Sequence, residues 1–166
     1  RTGLYTYCGL KPIQSDNIEI NLQTENKCYF MDQDGYIFDE APYFSGEIYL
    51  KFYGNVETTN DGQLGSYFSQ NNFIEFINLK NTLEKLSIRP VIFYIDENND
   101  IRMSLSSYNS ESGPEIIFKN DVSFVKIAEN LQTVLSTEPL QAEFKNKYSS
   151  LLYIDLRFGN KVYYKF

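Results

Sequence analysis

The chain has 166 residues, of which 42% are hydrophobic and 16% aromatic, including 14 Tyr and 13 Phe. This content supports one domain, or a domain plus part of another, and argues against disorder. The net charge of −7 argues against a nucleic-acid partner or an anionic lipid surface. The sequence contains no His, which excludes Ser–His and Cys–His catalytic sites and His-based zinc sites.

The sequence shows neither a membrane-spanning segment nor a signal peptide. It has no apolar run of about 20 residues, the length needed to cross a bilayer, and no leader of the secretory type. It starts with Arg1 and not with Met. We therefore interpret the chain as a fragment, and expect any membrane anchor to lie upstream of it.

Two cysteines, Cys8 and Cys28, leave the redox chemistry open. They are candidates for one disulfide in an oxidising compartment, worth about 3 kcal/mol in the chain-entropy model. Two ordinary buried thiols are the alternative, because spacing alone does not establish pairing. A zinc site ranks last, since two cysteines without His need ligands from outside the chain.

The N-terminal third predicts mainly strands. Residues 4–8 and the alternating residues 18–22 each fit a strand. Residues 27–39 fit a hairpin that turns at Asp34-Gly35, and residues 47–53 fit a further strand, with Ile48, Leu50 and Phe52 on one face. The acidic turn at 32–35 lacks the further ligands of a calcium loop.

The middle of the chain alternates helices with strands. Apolar residues at helical spacing predict a helix over 70–86 with Ser69 as its N-cap. A hairpin follows over 90–105, and its acidic turn at 96–100 is interpreted as solvated.

A short strand is predicted next, over 115–119, followed by an amphipathic helix capped by Asp121. A short helix or extended linker is expected between Pro139 and Tyr148.

The C-terminal segment predicts a hairpin whose last strand has nothing after it. Residues 151–158 and 161–166 alternate apolar and polar side chains on either side of the turn pair Gly159-Asn160. Together the elements predict an α+β fold: a mixed or antiparallel sheet, two main amphipathic helices on one face, and a C-terminal hairpin at the sheet edge.

Two segments resemble the FtsQ/DivIB family of bacterial cell-division proteins. Residues 153–165 read YIDLRFGNKVYYK, similar to the family's C-terminal pattern of an aromatic, an aliphatic, Asp-Leu-Arg, an aromatic, a turn and a last strand. Residues 28–38 read CYFMDQDGYIF and resemble the start of the family's β domain. The resemblance covers about residues 25–166, and it departs from better-known members around 113–119.

The resemblance implies a scaffold and not an enzyme. Residues 1–24 would be the end of a POTRA module with its connector, and 25–166 the β domain. Family members are single-pass membrane proteins whose extracytoplasmic region binds FtsB/DivIC-like and FtsL-like coiled-coil proteins at the division septum and helps regulate septal peptidoglycan synthesis. No cofactor, metal or small-molecule substrate is implied.

The expected contact surface is the C-terminal edge strand, where a partner can add a strand of its own. The candidate partner-binding residues are Phe158, Gly159, Asn160, Lys161, Val162, Tyr163, Tyr164, Lys165 and Phe166. Asp155 and Arg157 are interpreted first as a structural ion pair. By alternation one of the two adjacent tyrosines is expected to face inward, with Tyr164 favoured.

Two other functions remain open. Paired carboxylates, Asp96 with Asp100 or Asp32 with Asp34, suit a carbohydrate-acting enzyme only if burial separates their pKa values. Their positions at predicted turns argue against this. An adhesion or pilus-like module would also use an edge strand, so it is a further alternative.

Overall fold

The computed structural model describes residues 1–12, 27–107 and 113–166. Within these residues the chain forms an α+β fold with a mixed sheet, as predicted, and this sheet has nine strands. The strands are β1 (Tyr5–Tyr7), β2 (Cys28–Met31), β3 (Ile37–Ala41), β4 (Lys51–Tyr53), β5 (Pro90–Ile95), β6 (Asp100–Leu105), β7 (Glu115–Lys119), β8 (Tyr153–Phe158) and β9 (Lys161–Lys165). The helices are α1 (Phe73–Lys85), α2 (Phe124–Leu135) and α3 (Leu140–Asn146), and a short 3-10 helix covers Tyr148–Ser150.

The strand order across the sheet is β3-β2-β1-β4-β5-β6-β7-β8-β9. The three predicted hairpins are confirmed, because β2 with β3, β5 with β6, and β8 with β9 are antiparallel neighbours. In the first turn Asp32 Oδ1 accepts the backbone N–H groups of Asp34 and Tyr36, at 3.0 and 3.1 Å. Gly35 supplies the left-handed backbone with φ of +77°.

Two parallel crossovers put the helices on one face. β4 and β5 are parallel neighbours joined through α1, and β7 and β8 are parallel neighbours joined through α2 and α3. Both crossovers step the same way along the sheet, and β4 and β7 point in the same direction. Since such connections are almost always right-handed, both deliver their helices to the same side.

Aromatic rings fill the core between the helices and the sheet. The Phe76 ring lies 5.1 Å from that of Phe93 on β5 and 4.9 Å from that of Phe124 on α2. Phe52 on β4 stacks on Phe93 at 5.5 Å. All four side chains are buried, so the aromatic stripe of α1 is core packing.

The second face of the sheet, away from the helices, carries the cysteines. Cys8 and Cys28 form a disulfide and pack with Tyr53 in a separate small cluster. The bond links the end of β1 to the start of β2 across 20 positions of sequence.

The two main helices start later than the sequence predicts. The first begins at Phe73 with Asn72 as N-cap, and Ser69 instead adopts a left-handed backbone with φ of +49°. The second begins at Phe124 with Ser123, not Asp121, as N-cap. In both cases a turn precedes the helix. A polar residue close to the start of an apolar pattern does not show where that turn ends and the helix begins.

The strand predicted over 47–53 is shorter than expected. β4 begins at Lys51, and Ile48 is 71% exposed instead of lying on the apolar face. All three residues of β4 pair with β5, and Lys51 and Phe52 also pair with β1. The alternation of side chains before Lys51 therefore does not correspond to strand structure.

The N-terminal strand lies inside the sheet. β1 pairs with β2 on one side and with β4 on the other. The predicted division of the chain at residues 24 and 25, the predicted strand over 18–22 and part of the loop over 106–114 lie outside the described residues.

Candidate functional site: the C-terminal sheet edge

The sheet has two ends, and they differ in how they are covered. At one end, the start of β3 is capped by the loop over 65–68: Ile37 N–H donates to Ser66 O at 2.9 Å, and Gly65 N–H donates to Ile37 O at 2.8 Å. At the other end, β9 pairs only with β8 among the described residues. The outward backbone groups of β9 are therefore available to another strand.

Exposed apolar side chains gather at the β9 end. Four of the twelve exposed large hydrophobic residues in the described ranges lie in the last 15 positions, and we call these four the edge patch. They are Leu152, Phe158, Tyr163 and Tyr164, with 55, 53, 50 and 37% of their surface exposed. The rings of Phe158 and Tyr163 are in contact, so this part of the exposed apolar surface is continuous, as at interaction sites.

A β-bulge shapes this surface. Asp155 pairs with Tyr163 and Phe158 pairs with Lys161, so three steps along β8 match two steps along β9. The extra residue interrupts the alternation of side chains, which lets Arg157 and Phe158 point to the same face. The Phe158 ring lies 5.4 Å from that of Tyr163, nearly perpendicular to it, and 5.5 Å from the Arg157 guanidinium.

Arg157 holds two carboxylates beneath this aromatic pair. Its Nε and Nη2 donate to Oδ1 and Oδ2 of Asp155 at 2.9 and 2.7 Å, and its Nη1 donates to Oδ2 of Asp100 at 2.8 Å. Asp100 and Asp155 are both buried, at 9 and 5% exposure. The guanidinium thus joins β8 to the start of β6, across β7.

The hydrogen bonds to Asp155 and Asp100 raise the pKa of Arg157 above its usual range, so the guanidinium stays charged. Burial raises the pKa of Asp155, but the hydrogen bonds from the Arg157 side chain and backbone, together with the charges of Arg157 and Arg102, outweigh it. The net result is a pKa of Asp155 below its ordinary value. Arg157 and Asp155 therefore both stay ionised at neutral pH.

Three of the four carboxylates considered for acid–base chemistry, those of Asp32, Asp96 and Asp100, are held by hydrogen bonds or ion pairs. Asp96 Oδ1 accepts the backbone N–H groups of Asn98 and Asp100, and its Oδ2 accepts from Arg102 Nε at 3.3 Å. The carboxylate of Asp32 accepts hydrogen bonds from the backbone of its own turn and forms an ion pair with Arg1 at 2.6 Å. The interpretation of 96–100 as a solvated turn is wrong for Asp100, because that residue begins β6 and is covered by its contact with Arg157.

The structure places all nine candidate partner-binding residues at the β9 end. Gly159 and Asn160 form the turn, with Gly159 at φ of +63°. Tyr164 pairs with the core residue Ile154 and so shares the helix-side face, but 37% of it is exposed and its ring contacts Phe166 at 5.9 Å. Val162 and Phe166 are the β9-end residues that pack against the core.

Sequence reasoning missed Asp100 as a member of this cluster. Asp100 lies 57 positions before Arg157, and nothing local in either segment indicates the pairing. Within the described ranges no helix is both long and apolar enough to cross a membrane, and no group of three acidic or cysteine side chains is placed to hold a metal ion. No protein-family model matches this chain, and no curated protein matches it.

Proposed function

We propose that this chain is an extracytoplasmic scaffold of the bacterial division machinery, which binds FtsB/DivIC-like and FtsL-like partners by strand addition to β9 and helps regulate septal peptidoglycan synthesis. The resemblance of residues 28–38 and 153–165 to the FtsQ/DivIB family supplies the identity of the partners. The binding mode rests on the position of β9 at one end of the sheet, where it pairs only with β8 among the described residues.

The composition of the edge supports a recognition role. An edge strand used for binding offers backbone groups for affinity and side chains for selectivity. Tyr163 and Phe158 are exposed, large and held against each other, and aromatic residues of this kind dominate the binding energy of protein interfaces. Lys161 and Lys165 flank Tyr163 on β9, which discourages pairing between copies of this edge.

The edge is also held rigidly. β8 is buried between β7 and β9, and Arg157 ties it to Asp100 on β6. A surface that is already ordered loses little conformational entropy on binding. The hairpin is therefore preorganised for a partner strand.

The disulfide supports an extracytoplasmic location. Bonds such as Cys8–Cys28 persist in oxidising compartments and are rare in reducing ones. This location agrees with the compartment in which division scaffolds of the FtsQ/DivIB type meet their partners.

The test is a calorimetric titration of the chain with the extracytoplasmic segment of the FtsB/DivIC-like protein from the same genome, alone and together with the FtsL-like protein. We expect saturable binding that Tyr163→Ala weakens at least tenfold and that deletion of residues 161–166 abolishes. Ile74→Ala is the matched control, because this residue is 59% exposed but lies on α1.

The folding of each variant has to be checked first. Tyr163→Ala should change the free energy of unfolding by less than about 1 kcal/mol, as expected for an exposed site. Binding that survives the deletion would place the interface elsewhere on the chain. Absence of binding to either partner, or to both together, would rule out the proposed function.

A further inference from the structure

We infer that the strand which adds to β9 has a five-residue core of the form acidic, three apolar residues, acidic. This inference rests on the proposed function and deepens it, by specifying the chemistry of the partner strand. It follows from the side chains that β9 presents on each of its two faces.

The face of β9 away from the helices carries a charged, an aromatic and a charged residue in turn. Tyr163 pairs with Asp155, which lies on the second face of the sheet, so Lys161, Tyr163 and Lys165 share that face by alternation. All three are exposed. A partner strand meets them with every second side chain.

The other face of β9 is apolar. Val162 and Phe166 pack against the core and remain partly exposed, and Tyr164 lies between them. The alternate side chains of the partner strand meet this surface. Apolar residues at the second and fourth positions of the partner strand bury apolar surface against this face. Charged residues there would lose their hydration without gaining a partner.

Charge decides the two ends of the motif. Neither Lys161 nor Lys165 forms an ion pair with a described residue. Asp155, which lies opposite Tyr163 on β8, is already held by Arg157 in a bidentate contact. Opposite charges on neighbouring strands stabilise pairing and like charges oppose it, so the first and fifth positions favour Asp or Glu.

The central position faces Tyr163, whose ring is held by Phe158. An aliphatic or aromatic side chain covers that ring, since aromatic and β-branched neighbours form favourable cross-strand pairs. The resulting pattern reads the same in both directions. The inference therefore holds for a parallel or an antiparallel partner strand.

The test uses three peptides that differ only at the two ends of the motif. The core Glu-Val-Ile-Val-Glu, flanked by Gly and Ser, is compared with versions carrying Lys or Gln in place of both Glu residues. Each is titrated into the isotope-labelled chain, and the amide resonances of 161–166 report binding by NMR. We expect the Glu peptide to bind about two- to fivefold tighter per lysine than the Gln peptide, and the Lys peptide to bind most weakly.

Charge reversal in the chain provides the decisive comparison. Lys161→Glu with Lys165→Glu should invert the order, so that the Lys peptide binds tightest. Lys119→Glu with Lys126→Glu is the matched control, because it changes the net charge equally at exposed positions on β7 and α2. The control variant should keep the original order of peptide affinities. Salt at 0.5 M should reduce the differences in affinity between the peptides.

The outcomes separate this inference from the proposed function. Equal affinities for the three peptides, with the natural partner still lost on deletion of 161–166, would overturn the acidic motif and leave strand addition in place. Each peptide is also fused to the C-terminus through a flexible linker, which raises its effective concentration to the millimolar range. If no peptide then shifts the amide resonances of β9, both the acidic motif and strand addition to β9 are overturned.

Discussion

Arg157 and Asp100 meet at 2.8 Å, although 57 positions of sequence separate them. Their contact spans three adjacent strands, because β7 lies between β6 and β8. Asp155 accepts hydrogen bonds from the other two nitrogens of the same guanidinium. One arginine thus adds a side-chain link from the hairpin to β6, beyond the backbone pairing of β8 with β7.

Arg157→Gln should destabilise the chain by about 2–4 kcal/mol, because it leaves two buried carboxylates without their charged partner. Urea denaturation followed by circular dichroism gives the free energy of unfolding. Arg89→Gln is the control: that arginine is 57% exposed and pairs with Glu47 at 3.5 Å, so its loss should cost less than about 1 kcal/mol. Equal losses for the two variants would argue against a structural role of the Arg157 cluster.

Acid should weaken the ion pair between Arg157 and Asp155. The pKa of Asp155 is lower in the folded chain than the ordinary value of 3.8. As pH falls, Asp155 is therefore protonated first in the unfolded chain. The stabilisation that its ionised form gives the fold is present above pH 3.8 and is lost as pH falls through the pKa of the folded chain. In urea titrations at several pH values, the stability gap between the chain and Asp155→Asn should be widest near neutrality and narrow below pH 3.8. A gap that does not change with pH would exclude this linkage.

The disulfide should stabilise the N-terminal strands. Cys8 and Cys28 are both buried and close a loop with a sequence separation of 20, worth about 3 kcal/mol in the chain-entropy model. Cys8→Ser with Cys28→Ser should lower the free energy of unfolding by about 2–5 kcal/mol. A reductant should lower the free energy of unfolding of the unchanged chain and should not change that of the double variant. A reductant effect of similar size in both would point to a cause other than this bond.

Gly35 should be intolerant of a side chain for two reasons that can be separated. Gly35 and Gly46 both adopt left-handed backbone, at φ of +77° and +76°, so an Ala at either costs about 1 kcal/mol. A Cβ at Gly35 would also lie 2.7 Å from the Phe73 ring, whereas one at Gly46 meets nothing within 4 Å. Thermal unfolding should show Gly35→Ala losing about 1–3 kcal/mol more than Gly46→Ala. Matching losses would mean that the Phe73 ring moves aside freely.

Local patterns sufficed for most of the elements. The hairpin turns at Asp34-Gly35 and Gly159-Asn160 were predictable, because left-handed turn residues between alternating strands act within a few positions. Helix starts were less predictable. Ser69 and Asp121 have side chains suited to N-caps, but the preceding turns end at Asn72 and Ser123.

By itself, the sequence determined the fold class, the aromatic core of α1 and a C-terminal hairpin, since each depends on periodicity and on short-range turn chemistry. Only the tertiary structure decided which strands are neighbours, that Asp100 meets Arg157, and that a bulge turns Phe158 towards Tyr163. These features depend on the register between segments far apart in the chain. The register between two strands is fixed by how their apolar faces pack into the core. It is not fixed by the residues that flank each strand in the sequence.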